Sequence, residues 1–353
     1  MDLVSEEEPF RQRVGPIVLF GVLSTFFAEG FSGSAPLWFM DAWGLFVVFP
    51  LYWTHALLLL NLAMRFRRTS LTQLYLWGVI FGLYESWMTK VIWAGYIGQD
   101  PGFGTFLGFA VAEFMVIALF WHTIFSFILP IMVFQVLSFG NQSMNESIQM
   151  IPKSGELHIS SKGAKSFYIM TLIIGSVFIA AGLVVDLSVT LIAATGNLVL
   201  VYLFLVIARR TAGGTFSIES LKLGKRGLGI VSIYLLLLYI LLFLILVPER
   251  IASGLTIILT GHFYLLVLGL LYLSPPIDAI GKSSLESSLI SSRFLKIWFA
   301  AFLVLAIAWC ILAELTGIIG VFLYLGMILA GPVLFIFAIV EVVQLKLTER
   351  KKI

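Results

Sequence analysis

Residues 228–247 read LGIVSIYLLLLYILLFLILV, a run of apolar residues without a single charged side chain. A helix rises ~1.5 Å per residue, so about twenty residues cross the ~30 Å hydrocarbon core of a bilayer. Backbone groups in lipid must be hydrogen-bonded within the protein, and this run lacks the alternation of a barrel strand. The stretch therefore predicts a transmembrane α-helix.

The composition of the whole chain agrees with this interpretation. Of its 353 residues, 60% are hydrophobic and 12% are charged, and its mean hydropathy is +1.05. Ordinary soluble domains have about twice that charged fraction. We predict an all-α, polytopic membrane bundle of about ten helices. The predicted spans are 14–31, 42–64, 71–97, 105–138, 166–185, 187–208, 228–247, 255–273, 296–315 and 318–343.

Basic residues concentrate in alternate loops of this layout. With the N-terminus inside, the cytoplasmic segments hold 20 of the 22 Lys and Arg residues, and only Lys90 and Arg250 lie elsewhere. Because cytoplasmic loops of membrane proteins carry this excess, we predict cytoplasmic termini in a multi-pass protein of the cell membrane. The basic residues thus set orientation, and we expect the lipid bilayer as a partner but no nucleic acid.

The predicted organisation has five parts along the chain. Seven of the nine Trp residues fall before residue 139, together with most ionisable residues that hydropathy places in the membrane. The later spans are plainer. The parts are a cytoplasmic N-terminal tail (1–13), a four-helix membrane region (14–138), a cytoplasmic loop (139–165), a six-helix apolar membrane region (166–343) and a basic cytoplasmic tail (344–353).

Six ionisable residues within the first four predicted spans form the candidate site. They are Glu29, His55, Glu85, Lys90, Glu113 and His122. Ionisable groups in hydrocarbon are costly and usually face a bundle interior or a wet cavity. Counting along straight helices puts the glutamates and the lysine in an outer layer and the histidines in a deeper one. We predict a substrate- or ion-binding site here, with structural ion pairs or backbone-bonded histidines as the alternative.

Two predicted spans carry small residues at four-residue spacing, which is typical of close helix contacts. They are Gly78, Gly82 and Ser86 in the third span, and Gly104, Gly108 and Ala112 in the fourth. The two ridges overlap in depth only near Ser86 and Ala112. We therefore predict tight packing against some other helix rather than one seam joining these two spans.

Sequence motifs do not indicate a cofactor or a metal. Cys310 is the single cysteine and lies in an apolar run, so neither a disulfide nor a thiolate metal site is predicted. A haem or metal held between His55 and His122 would need ligands that the sequence does not add. The acidic-pair motif for prenyl diphosphates, His-Glu-x-x-His and Gly-x-Ser-x-Gly are also missing from the sequence.

One short segment resembles a known motif. Residues 84–90, YESWMTK, are similar to the Glu-Glu-x-x-x-Arg motif of the prenyl-protein type of glutamate intramembrane proteases. Ser86 stands at the second Glu and Lys90 at the Arg, and the Phe-x-x-x-His of that family does not occur around His122. The resemblance implies an intramembrane hydrolase in which Glu85 activates water.

Three functions remain open from the sequence. The first is a transporter of a small solute or ion, with Glu85 and Glu113 as its binding or coupling groups. The second is an intramembrane enzyme that acts on a lipid or a membrane-embedded peptide, with Glu85 activating water and His55 or His122 assisting as acid or base. The third is a non-catalytic scaffold subunit. We favour the transporter, with the enzyme question left open but leaning to no, and with the oligomeric state, the solute and the coupling ion unspecified.

Overall fold

The computed structural model describes residues 10–138, 161–182, 186–214, 216–276 and 291–350. Residues 1–9 of the predicted N-terminal tail, residues 139–160 of the predicted loop and the last three residues of the basic tail lie outside the described residues. Within the described ranges, nine helices are long and apolar enough to cross a membrane. The predicted all-α, multi-spanning fold is therefore confirmed.

The elements follow one another almost entirely as helices, with one two-stranded hairpin. They are α1 (Phe10–Thr25), a π-helical turn (Phe26–Gly30), a second (Gly44–Val48), α2 (Phe49–Arg65), α3 (Leu71–Gly82), α4 (Tyr84–Trp87), α5 (Val91–Ala94), β1 (Thr105–Phe106), β2 (Phe109–Ala110), α6 (Val111–Glu113), a long π-helical segment (Phe114–Ile128), α7 (Leu129–Ser138), α8 (Ser161–Ala181), α9 (Leu187–Thr211), a 3-10 turn (Ile218–Leu221), α10 (Lys225–Ile245), a 3-10 turn (Pro248–Arg250), α11 (Gly254–Leu273), α12 (Ser292–Ile311) and α13 (Ala313–Arg350).

The chain divides into two compact units, each built from three stretches. The first unit comprises Met1–Trp53, Pro130–Gly224 and Glu286–Ile311, and the second comprises Thr54–Leu129, Lys225–Leu285 and Leu312–Ile353. This division by contacts interleaves the sequence. The predicted sequential regions, like the predicted orientation of the termini, stay predictions.

In the first unit, α1 packs along α9 and α8 packs along α12. Its core is aromatic: the rings of Phe31 and Phe302 stack with centroids 4.7 Å apart, and Trp298 stacks on Phe31 at 5.9 Å. All three side chains are buried. Stacked and edge-on ring contacts add to the burial of large apolar areas, so this unit is stabilised mainly by apolar packing.

In the second unit, α3 packs along the π-helical segment Phe114–Ile128, which also contacts α13. A Cβ added to Gly82 would lie 2.7 Å from the Cα of Ala118, and one added to Gly78 would lie 2.8 Å from the Cα of Thr123. Only glycine permits so close an approach. We predicted that no single seam joins the third and fourth spans. This prediction was wrong, because the Gly78–Gly82 ridge packs against the fourth span.

The predicted third span, 71–97, is interrupted. A capping box between Ser70 and Gln73 starts α3, but regular helix ends at Trp87 and restarts only as the single turn α5. Between them, Lys90 has the left-handed backbone conformation, with φ 59°. That conformation costs a residue with a Cβ roughly 1–2 kcal/mol, so tertiary contacts must hold it.

The predicted fourth span, 105–138, starts later than expected. Residues 105–110 form the β1–β2 hairpin, and the helix begins at Val111. Gly104 and Gly108 have φ values of 73° and 81°, a conformation that glycine adopts without a steric penalty. These two glycines therefore form turns, and the predicted helical ridge that included them was wrong.

Candidate functional site

Glu85 and His122 meet in the interior of the second unit. The Gly78 and Gly82 contacts bring α3 against the fourth-span helix, and the next turn places Glu85 Oε1 3.1 Å from His122 Nε2. The two residues are 7% and 5% exposed. They form a buried acid–base pair within helices whose other side chains are mainly apolar.

Each member of this pair has a second polar partner four residues along its own chain segment. The Thr89 hydroxyl donates a hydrogen bond to Glu85 Oε2, and His122 Nδ1 lies 2.7 Å from Ser126 Oγ. The four side chains form one continuous hydrogen-bonded row from Thr89 to Ser126. Carboxylate and imidazole can exchange a proton across their shared hydrogen bond, and both imidazole nitrogens have a partner.

The backbone around the pair is irregular on both sides. His122 lies in the π-helical segment Phe114–Ile128, and Glu85 lies in α4, just before the break at Lys90. π-Helical turns are rare and are frequent at functional sites. Interrupted helices at membrane depth are tolerated where protein or a polar cavity surrounds them. Local irregularity thus coincides with the buried pair.

His55 belongs to a neighbouring row of aromatic hydroxyl groups. Its Nε2 lies 2.9 Å from the Tyr239 hydroxyl, which is hydrogen-bonded to that of Tyr264. The Trp87 Nε1–H donates to the Tyr264 hydroxyl at 3.2 Å. This row joins α2, α10, α11 and α4 within the second unit.

The two histidines share aromatic neighbours. His55 and His122 stack near-parallel on Phe81 at centroid distances of 5.2 and 6.0 Å, and both rings also contact Tyr84. In the described part of the chain, no cluster of three or more His, Cys, Asp and Glu side chains could hold a metal ion. The arrangement suits hydrogen bonding and proton exchange.

Lys90 is fully buried and neutralises the end of a helix. Its ammonium donates hydrogen bonds to the carbonyl oxygens of Leu242 at 3.0 Å, Phe243 at 2.9 Å and Leu246. Those carbonyls lie at the C-terminus of α10, where helices carry unsatisfied acceptors and partial negative charge. These hydrogen bonds hold the left-handed residue that interrupts the third span.

Glu113 lies in the first turn of the fourth-span helix, where a negative charge is favourable. Its Oε1 accepts a hydrogen bond from the Gly102 N–H at 3.0 Å, and the residue is 2% exposed. Its charge interacts with Arg250 in the turn Pro248–Arg250. Burial lowers the pKa of Arg250 from its usual value, and the charges of Glu249 and Glu113 oppose that shift.

Glu29 is the one predicted site residue that belongs to the first unit. It lies in the π-helical turn Phe26–Gly30 and accepts hydrogen bonds from the hydroxyl groups of Tyr52 and Ser34. The other five predicted residues all belong to the second unit. The predicted site residues are thus divided between the units, and Glu85 and His122 form a direct pair.

A cavity of about 500 Å³ lies in the first unit. Trp38, Trp43 and Pro36 contribute to its largely apolar wall. Of the described residues that line it, Asp41 alone is ionisable, and its Oδ1 accepts the Gly44 N–H at 2.6 Å. The cavity therefore offers little acid–base chemistry.

Sequence reasoning missed the uncharged polar members of the site. Thr89 follows Glu85 by four residues and Ser126 follows His122 by four, a spacing that places side chains on one helix face. Tyr239 and Tyr264 each carry a hydroxyl group inside an apolar run. Scanning for hydroxyl groups at that spacing from each intramembrane charge would have found the first two.

Comparison with known proteins agrees with this architecture. Residues 18–350 match a family described as "Uncharacterized membrane protein family". This chain belongs to that family. It is therefore a multi-spanning membrane protein, and the match covers both compact units.

One relative comes from the archaeon Archaeoglobus fulgidus and carries the description "Uncharacterized protein". It is 36% identical over 153 residues, which is 43% of this chain and 46% of the relative. The match thus spans less than half the length of that relative. No solved structure matches this chain.

Proposed function

We propose that this protein is a transporter of a small solute or ion in the cell membrane, and that the Glu85–His122 pair carries the coupling proton. The observation that supports the proposal is the 3.1 Å contact between a buried carboxylate and a buried imidazole inside a membrane bundle. Ionisable residues at such positions commonly mark ion pathways and proton relays.

The chemistry of the pair suits proton exchange. An imidazole can take up and release a proton, and a carboxylate partner can accept or return that proton. Thr89 and Ser126 supply further hydrogen bonds to the two members of the pair. A single proton can then be stored at the pair without leaving an isolated charge in hydrocarbon.

The interrupted third span provides a site for gating. Interrupted helices are used in transporters because the free backbone groups beside the break can contact an ion or a solute. Here Glu85 lies directly before such a break, and Lys90 occupies the left-handed position within it. A change at the break would directly alter the environment of the carboxylate.

The test is solute-evoked current from proteoliposomes on a solid-supported membrane. The panel contains amino acids, small carboxylates, sugars and monovalent cations, each applied with and without an inward proton gradient. We expect at least one solute to evoke a proton-dependent current. Glu85→Gln and His122→Gln should each reduce that current to background, because neither amide can exchange a proton at this pair.

Glu219→Gln is the matched control. Glu219 forms an exposed ion pair with Lys222, so this substitution changes the same chemistry away from the interior. It should leave the current unchanged. A wild-type protein without any solute-evoked current, or a Glu85→Gln protein with full proton dependence, would overturn the proposal.

An intramembrane hydrolase is the second candidate. The observation that favours it is the row Glu85–His122–Ser126, because a carboxylate beside an imidazole can activate water as a general base. The similarity of residues 84–90 to a glutamate protease motif agrees with this role. The substrate would be a lipid or a membrane-embedded peptide.

This second candidate predicts isotope incorporation from solvent. Wild-type protein would be incubated with bilayer lipids and hydrophobic peptides in water enriched in oxygen-18, followed by mass spectrometry of the products. Hydrolysis would label a product, and Glu85→Gln would abolish the label. If wild-type protein gives no labelled product but shows the proton-dependent current, the transporter is favoured.

A further inference from the structure

The second unit contains another buried polar group, centred on Glu113. The hydrogen bond from Gly102 satisfies Glu113 Oε1, but Glu113 Oε2 is buried without a hydrogen-bond partner among the described residues. A buried carboxylate oxygen that lacks a donor is costly. This atom therefore indicates a partner that the side chains around it do not supply.

Arg250 presents the complementary group. One nitrogen of its guanidinium donates to the carbonyl oxygens of Gly95 and Tyr96, which end the turn after α5. Its Nη1 is buried and has no hydrogen-bond partner within the described ranges. Glu113 and Arg250 interact electrostatically, yet they form no direct ion pair among the contacts of the described residues.

Two tyrosines complete the surroundings of Glu113. The hydroxyl groups of Tyr96 and Tyr324 are hydrogen-bonded to each other, and both interact with the charge of Glu113. They belong to the loop after α5 and to α13. A carboxylate, a guanidinium and two hydroxyl groups thus interact within one unit.

We infer that Glu113 and Arg250 together bind a small zwitterionic solute of the amino-acid class. The ammonium group of the solute contacts Glu113 Oε2, and its carboxylate contacts Arg250 Nη1. A simple cation would satisfy Glu113 but face the charge of Arg250, and a simple anion would face the opposite conflict. A zwitterion satisfies both groups, and Tyr96 and Tyr324 offer further hydrogen bonds.

This inference names the solute class for the transporter proposed above, and in that sense it rests on that proposal. Binding can nevertheless be measured without transport. Purified full-length protein in detergent would be titrated with each of the twenty amino acids by isothermal calorimetry. The strongest ligand would then be compared with two analogues, one lacking its carboxylate and one lacking its amino group.

We expect at least one amino acid to bind, and both analogues to bind at least ~tenfold more weakly, because each leaves either Glu113 Oε2 or Arg250 Nη1 without a partner. Glu113→Gln and Arg250→Gln should each weaken binding at least ~tenfold for the same reason. The amide oxygen introduced by Glu113→Gln would still accept the Gly102 hydrogen bond, so folding should persist. Arg250→Lys, which keeps the charge, should bind better than Arg250→Gln. Glu219→Gln is the control and should bind like wild type.

The inference would be overturned if no amino acid binds the wild-type protein, or if binding survives both Glu113→Gln and Arg250→Gln. An analogue with a single charge that binds equally strongly would also contradict it.

Glu85→Gln separates this inference from the transport proposal, because it should abolish the proton-dependent current but keep equilibrium binding. Binding without any proton-coupled current would refute the transporter and leave this site standing. Proton-coupled current from a solute that is not a zwitterion would refute this site and leave the transporter proposal standing.

Discussion

The two units of this protein are stabilised by different means. In the first unit the interior is rich in aromatic rings, and Phe31, Trp298 and Phe302 stack against one another. In the second unit the interior contains an acid–base pair, Glu85 and His122, and a buried ammonium at Lys90. The first unit buries apolar surface, which needs no partner, whereas the second buries charges that must each have one.

This difference indicates where chemistry can occur. Aromatic packing is worth several kcal/mol per side chain but offers no group that can bind a proton. Buried charges contribute little net stability, because removing them from water is costly, especially in hydrocarbon. We therefore assign the structural role to the ring cluster of the first unit and the functional role to the polar interior of the second.

The largest expected loss of stability is in the first unit. Phe31→Ala removes a fully buried ring that contacts four other aromatic residues, and should cost about 3–5 kcal/mol of unfolding free energy. Thermal unfolding in detergent would measure the loss. The folded fraction should keep its proton-dependent current. Loss of that current in folded protein would break the distinction between the units.

Lys90→Met should have the next largest effect. The substitution keeps a long apolar side chain but leaves the carbonyl oxygens of Leu242 and Phe243 without the ammonium, which should cost about 3 kcal/mol. The same unfolding assay would measure it. Lys222→Met, at an exposed ion pair, should change stability by less than about 1 kcal/mol. Equal effects at the two lysines would contradict the role assigned to Lys90.

Gly82→Ala tests the close helix contact that brings the pair together. The added methyl group would lie 2.7 Å from the Cα of Ala118, so we expect a loss of about 1–3 kcal/mol and a weaker proton-dependent current. Gly269→Ala is the matched control, since nothing lies within 4 Å of a Cβ at that position of α11. It should be neutral or stabilising by up to about 1 kcal/mol.

The smallest expected loss of stability is at His55, and a comparison with His122 distinguishes the two histidines. His55→Phe keeps the stacking on Phe81 and loses the hydrogen bond to Tyr239, which should cost about 1 kcal/mol. The proton-dependent current should persist in this variant. His122→Phe should remove the current, because it deletes the partner of Glu85. Loss of the current in His55→Phe, with the current kept in His122→Phe, would instead place the functional site at the row of His55, Tyr239 and Tyr264.

Much of the fold could be predicted from the sequence because a membrane helix is specified locally. A run such as 228–247 needs only its own apolar residues to span the bilayer. The break at Lys90 could not be predicted in this way. Its left-handed conformation depends on carbonyl oxygens of α10, more than 150 residues further along the chain.

The pairing within the site was missed for a related reason. Counting along a straight span from residue 105 puts His122 ~25 Å deep, below Glu85 at ~18 Å. The helix begins at Val111, after a hairpin, and the same count along a regular helix from that residue gives about 16 Å for His122. This shorter count agrees with the observed contact between the two side chains. The sequence predicted each residue as a candidate, but the hairpin that aligns them depends on the turns at Gly104 and Gly108.

In the proposed mechanism, Glu85 exchanges a proton within its pair with His122. Infrared difference spectroscopy between acidic and alkaline buffers, on the full chain in lipid, tests it directly. We expect a carboxyl band that appears on acidification, disappears in Glu85→Gln, shifts in His122→Gln and stays unchanged in Glu219→Gln. A difference spectrum that is the same in wild type and in Glu85→Gln would show that Glu85 does not exchange this proton.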